Sequence, residues 1–106
     1  MISEEACEKA VDYLLNSAKA LGEATQRAVS AEHMRKHIWA LEMKKHGGPV
    51  SAQERDAYAS EAYKAAVDEE AIAAAELVVI KARRDAARTR VEVWRSQNAN
   101  ARDLKL

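Results

Sequence analysis

The chain reads as an all-α protein, a long antiparallel helical hairpin of coiled-coil type that dimerises into a four-helix bundle. Three observations predict this. The 106 residues include three glycines, one proline and no phenylalanine, with alanine the commonest residue, a composition that favours helix and disfavours sheet. Two of the glycines and the proline stand together near the midpoint, in His46-Gly47-Gly48-Pro49-Val50. On both sides of that cluster, apolar residues recur in alternating steps of four and three, the rhythm of a packed helical seam. The expected domain is single and spans 1–106, with one helix over about 3–46, a turn at 46–50, a second helix over about 51–98 and a polar C-terminal tail.

The first helix starts at Ser3, whose hydroxyl can cap it, and Glu4 and Glu5 suit the positive end of its dipole. Its seam runs through Cys7, Val11, Leu14, Ala18 and Leu21, then Thr25, Ala28, Ala31, Met34, Ile38 and Leu41, with one shortened step near Ala31 that resembles a stammer. Gly22 is expected inside this helix, and a break there would give three helices. At the turn, glycine ends the helix and proline forbids its continuation. Ser51-Ala52-Gln53-Glu54 then has the form of a capping box. The second helix carries Ala59, Tyr63, Ala66, Glu70, Ala73, Leu77, Ile80, Arg84, Ala87, Val91 and Trp94 in unbroken four-three spacing.

Folding back about Gly48 sets Val11 near Ala87, Leu21 near Leu77 or Glu76, and Met34 near Ala62 or Tyr63. Charge agrees with that direction: residues 1–12 carry a net −3 and residues 83–95 a net +3. Near the turn, Arg35, Lys36, Lys44 and Lys45 would lie opposite Glu54, Asp56 and Glu61. A lone hairpin buries little, and Ala71–Ile80 is apolar nearly all the way round, so a second copy is expected to cover it. Residues 51–80 hold a net −5 and 81–106 a net +5, which favours antiparallel pairing of the second helix with its own copy. The expected interface is Glu70, Ala73, Leu77, Ile80 and Arg84, with Glu70 opposite Arg84 of the partner.

Signals for chemistry are sparse. His33 and His37 have the i, i+4 spacing of a two-imidazole metal site, but no carboxylate stands beside them, so a solvated pair is expected. Cys7 falls on the seam as a buried structural cysteine, with no base nearby. No phosphate loop or nucleophile elbow occurs, and Glu69 and Glu70 are adjacent, so they point about 100° apart on a helix. A non-enzyme without cofactor or metal follows. Arg84, Arg88, Arg95 and Arg102 fall within roughly 40° of one another on a helical wheel, with Trp94 at the edge. That stripe could contact nucleic acid or an acidic partner, or pair with Glu4, Glu5, Glu8 and Asp12 or with the acidic half of a dimer mate. Zero net charge favours the internal pairing. Trp39 and Tyr58 are expected to clasp the hairpin tip. The N-terminal residues lack the pattern of a secretory signal, no run approaches a membrane span, and a lone cysteine suits a reducing cytoplasm.

Two strings carry a resemblance: Ala52-Gln53-Glu54-Arg55-Asp56-Ala57-Tyr58-Ala59, and Arg90-Val91-Glu92-Val93-Trp94-Arg95-Ser96-Gln97 followed by Asn98-Ala99-Asn100-Ala101-Arg102. They resemble a group of small, mostly uncharacterised helical proteins of tailed bacteriophages and prophages, often encoded alongside recombination and single-strand-annealing genes. Met43-Lys44-Lys45 and Asp68-Glu69-Glu70 share in it; the first half matches loosely. Ala73-Ala74-Ala75 stands where those proteins have larger apolar or aromatic residues. The resemblance implies an accessory to phage recombination or replication in a bacterial cytoplasm and assigns no catalytic residue. The expected function is a non-catalytic, self-associating helical adaptor acting through protein contacts. Its alternatives are direct nucleic-acid binding through Arg84, Arg88 and Arg95, and inhibition of a host protein.

Overall fold

A computed structural model describes residues 1–105, and it is all-α: α1 (Glu4–Asn16), α2 (Ala18–Lys45), α3 (Val50–Tyr58) and α4 (Glu61–Lys105), with no strand among the described residues. The chain forms two compact units, one of Met1–Gly22 with the segment from Val78 onward, the other of Glu23–Leu77. In the first unit α1 runs antiparallel to the later part of α4: the Ile2 amide donates to Gln97 Oε1 at 3.1 Å, and Arg84 reaches back to Leu14 and Ser17. In the second, α2 runs antiparallel to α3 and the early part of α4, through Arg27 with Glu76, Arg35 with Glu70 and Trp39 with Tyr58.

Ser3 caps α1 as expected, its hydroxyl accepting from the Ala6 amide at 3.1 Å. The first helical stretch breaks at Ser17, and Gly22 lies inside α2. Ser17 is buried, and its hydroxyl accepts from Arg84, so the interruption is held by a polar contact and not by a missing side chain. The turn falls where glycine and proline predict it, and Gly48 adopts φ +90°, a conformation that suits a residue without Cβ. The expected capping box does not form. Pro49 occupies the N-cap position of α3, Ser51 is already helical, and Gln53 Nε2 donates to the Gly48 carbonyl at 3.1 Å.

A second break, at Ala59 and Ser60, divides the expected second helix. Ser60 Oγ donates to the Ala57 carbonyl at 2.7 Å and accepts from the Tyr63 amide at 3.1 Å, closing α3 and opening α4 with one side chain. The expected polar tail is helical through Lys105, because Ala99, Ala101, Arg102 and Leu104 are good helix formers and outweigh Asn98 and Asn100.

Burial along α4 follows the seam read from the sequence. Tyr63, Ala66, Glu70, Ala73, Leu77, Ile80, Arg84, Ala87, Val91 and Trp94 are buried or half-buried; Ala59, at the break, is exposed. The opposing seam differs from expectation: it runs through Cys7, Ala10, Leu14, Ser17, Leu21, Ala24, Ala28, Ala31, Arg35, Ile38 and Glu42, a regular four-three series without a stammer. Val11, Met34 and Leu41 are exposed. The irregular step arose from excluding polar residues, whereas the folded chain admits Ser17, Arg35 and Glu42 to the seam and satisfies each one.

Candidate interaction surfaces

The buried apolar residues are Cys7, Ala10, Ala24, Ala57, Ala66, Ala73 and Ala87, and no large side chain is fully buried among the described residues. Small seam residues let helices approach closely, but each removes little apolar area from water. The accessible surface is 7786 Å².

Polar residues occupy the seam in both units. In the second, Arg35 Nε donates to Glu70 Oε2, and the guanidinium's hydrogen bonds to Glu70 first and Tyr63 second raise its pKa above the usual value. Nearby, Tyr58 lies 5.8 Å from Trp39 and 5.4 Å, edge to face, from Tyr63 between ring centroids. The clasp expected of Trp39 and Tyr58 therefore exists and includes Tyr63. Glu42 is 7% exposed and accepts from Lys45 Nζ at 2.9 Å, while His46 lies 4.0 Å from Glu42 and 3.9 Å from Asp56. In the first unit Arg84 Nη1 donates to the Leu14 carbonyl at 2.8 Å and to Ser17 Oγ at 2.6 Å. The Leu14 carbonyl belongs to the last turn of α1, where a cation is favoured by the helix dipole.

The five residues expected at a dimer interface thus have places within the chain. Glu70 and Arg84 have internal partners, Ala73 is buried, and Leu77 and Ile80 are half-buried on the same seam. The large apolar residues that α4 leaves exposed are Val67 and Ile72 (55%) in the second unit, and Val78 (64%), Val79 (46%), Val93 and Leu104 in the first.

The arginine stripe also differs from its wheel projection. Arg84 points into the seam, Arg88 donates to Asp85 at 3.0 Å, and Arg95 donates to Glu92 at 3.2 Å. These are pairs within α4. Among the described residues neither Arg88 nor Arg95 pairs with Glu4, Glu5, Glu8 or Asp12, because an i, i+3 carboxylate is always within reach and a cross-helix one demands extension of two long side chains. Glu4, Glu8 and Asp12 instead border a recess with Cys7, Val11 and Trp94. Three stripe residues, Trp94, Arg95 and Arg102, do share an open groove of about 470 Å³ with Asn98 and Ala101.

Arg83 and Arg90 flank another groove, of about 320 Å³, with Lys9 and Tyr13, over a floor of Ala10, Ala86 and Ala87. Lys9 pairs with Glu5 at 3.2 Å; Arg83 and Arg90 have no ion-pair partner among the described residues. Sequence reasoning passed over them because they lie off the densest arginine projection. Their signal was the seven-residue interval between them. His33 and His37 are exposed on α2, and Cys7 is buried. No helix among the described residues is long and apolar enough to cross a membrane. Comparison with protein families, curated proteins and solved structures finds no match to this chain.

Proposed function

We propose that this chain is a non-catalytic helical adaptor that self-associates and works through protein contacts. The observation that carries this reading is the size of the buried apolar side chains: among the described residues none exceeds cysteine, while Ile72, Val78 and Val79 are exposed on α4. A chain that buries alanine and exposes branched aliphatic residues gains stability by laying that surface against another protein. The bacteriophage setting, as an accessory to recombination or replication in a bacterial cytoplasm, rests on the sequence resemblance alone.

A second reading, direct contact with nucleic acid, is supported by the groove that joins Trp94, Arg95 and Arg102, an aromatic ring beside two guanidinium groups. It is the weaker one: Arg84 is engaged internally, and Arg88 and Arg95 have carboxylates beside them. Light scattering after gel filtration, with and without a short single-stranded oligonucleotide at low and moderate salt, separates the two. A dimer whose mass is unchanged by the oligonucleotide supports the adaptor, and a salt-sensitive complex with it supports nucleic-acid binding.

A further inference from the structure

The outward side of α4 carries a second seven-residue pattern, opposite the seam. Ile72, Val79, Ala86 and Val93 recur every seven residues, with Ala75 and Ala82 between them, and all six are exposed. Immediately beside this stripe, also at seven-residue intervals, stand Glu69, Glu76, Arg83 and Arg90. Two acids are followed by two bases at the same helical position.

We propose that this face binds a second copy of the same chain, with the two α4 helices antiparallel and Val79 of one copy packed against Ala82 of the other. This rests on the self-association reading above and specifies its geometry. In an antiparallel pair of helices, equivalent flanking positions of the two copies face each other. With Val79 opposite Ala82, Glu76 meets Arg83 of the second copy and Glu69 meets its Arg90, and the two-fold axis repeats both contacts. All four flanking positions on each copy then have an opposite charge.

Neighbouring registers do worse. A slip of seven residues in one direction sets Glu76 against Glu76 of the second copy, and in the other direction Arg83 against Arg83. Parallel pairing aligns the acidic parts of both helices, and separately the basic parts. Charge therefore selects one direction and one register, the role that flanking ion pairs play in coiled coils.

Two further observations fit. Arg83, Arg90 and Glu69 have no ion-pair partner among the described residues, and Glu76 is half-exposed in its 3.3 Å pair with Arg27, so it retains a face for a second cation. On the opposite flank, Asp85 and Glu92 are neutralised along α4 by Arg88 and Arg95, which leaves Val78 and Ala71 as the uncharged contacts there.

The test uses the full chain and measures dimer affinity by sedimentation equilibrium, with circular dichroism to follow helix content. Glu69→Arg with Glu76→Arg makes the flank wholly basic; Arg83→Glu with Arg90→Glu makes it wholly acidic. Each double variant should dimerise on the order of tenfold or more weakly than the wild type. An equimolar mixture should form a heterodimer, and the fourfold exchange should restore the homodimer, since inversion of every flanking charge recreates the same pairs. Rescue also shows that the variants fold. A wild-type dimer whose affinity is the same in both double variants, or a fourfold exchange that fails to dimerise, overturns this register while self-association stands. A wild-type chain that remains monomeric overturns both.

Discussion

The two units of the chain solve the same problem in different ways. Each must place a basic residue in a seam only one side chain deep. In the second unit Arg35 meets a carboxylate, Glu70, with the Tyr63 hydroxyl beside it and an aromatic cluster close by. In the first, Arg84 meets only neutral oxygens, the Leu14 carbonyl and the Ser17 hydroxyl, and it finds them because α1 stops at Asn16. A cation in a narrow seam thus needs an opposite charge or the end of a helix, and the second solution costs a break in the helix that provides it.

The largest expected effect lies at the aromatic cluster. Trp39→Ala should destabilise the protein by about 3 kcal/mol in urea unfolding. Hydrogen exchange should speed up first in residues 23–77, with the α1 amides still protected. Arg84→Ala should cost about 2 kcal/mol, because two charge-assisted hydrogen bonds and the cap of α1 are lost together. Its exchange signature should be the converse, with faster exchange in α1. Within the second unit, a double-mutant cycle on Arg35 and Glu70 should show favourable coupling smaller than the Arg84 effect, since water reaches both side chains. A larger coupling would place the stronger polar anchor there and reverse the comparison.

The smallest effects concern glycine. A Cβ at Gly22 meets nothing within 4 Å, and the residue is helical, so Gly22→Ala should stabilise by about 1 kcal/mol. Gly48 also has open space around it, but its φ of +90° disfavours a side chain, and Gly48→Ala should destabilise by about 1 kcal/mol. Thermal unfolding distinguishes the signs.

These contrasts also mark how far the sequence could be read. The α4 seam was legible in full because its pattern tolerates two polar members, Glu70 and Arg84, at positions that spacing alone identifies. On α1 and α2 the true seam passes through Ser17, Arg35 and Glu42 while Val11, Met34 and Leu41 lie outside it, so hydrophobicity pointed to the wrong side chains at those steps. The break at Ser17 carries no glycine or proline, and the arginine that bonds to it, 67 positions away, reaches it only after folding. Ser60 was overshadowed by the more complete capping pattern at Ser51, which Pro49 displaces. The candidate interface suffered from a related ambiguity. Glu70 and Arg84 have the right charges and spacing for a dimer contact, but only the folded chain shows that both have partners inside it, which shifts attention to the next register of charges, Glu69, Arg83 and Arg90, without an ion-pair partner among the described residues, and Glu76, in an exposed pair with Arg27.

On the proposed pairing α4 has two working faces, one turned toward its own chain and one toward a second copy. Sedimentation velocity on the wild type and on Val79→Lys, across a concentration series, tests it most directly. Val79 is exposed, so the substitution leaves the internal seam intact. The account predicts a wild-type dimer and a Val79→Lys monomer of unchanged helix content; a monomeric wild type, or a variant that dimerises as tightly as the wild type, contradicts it.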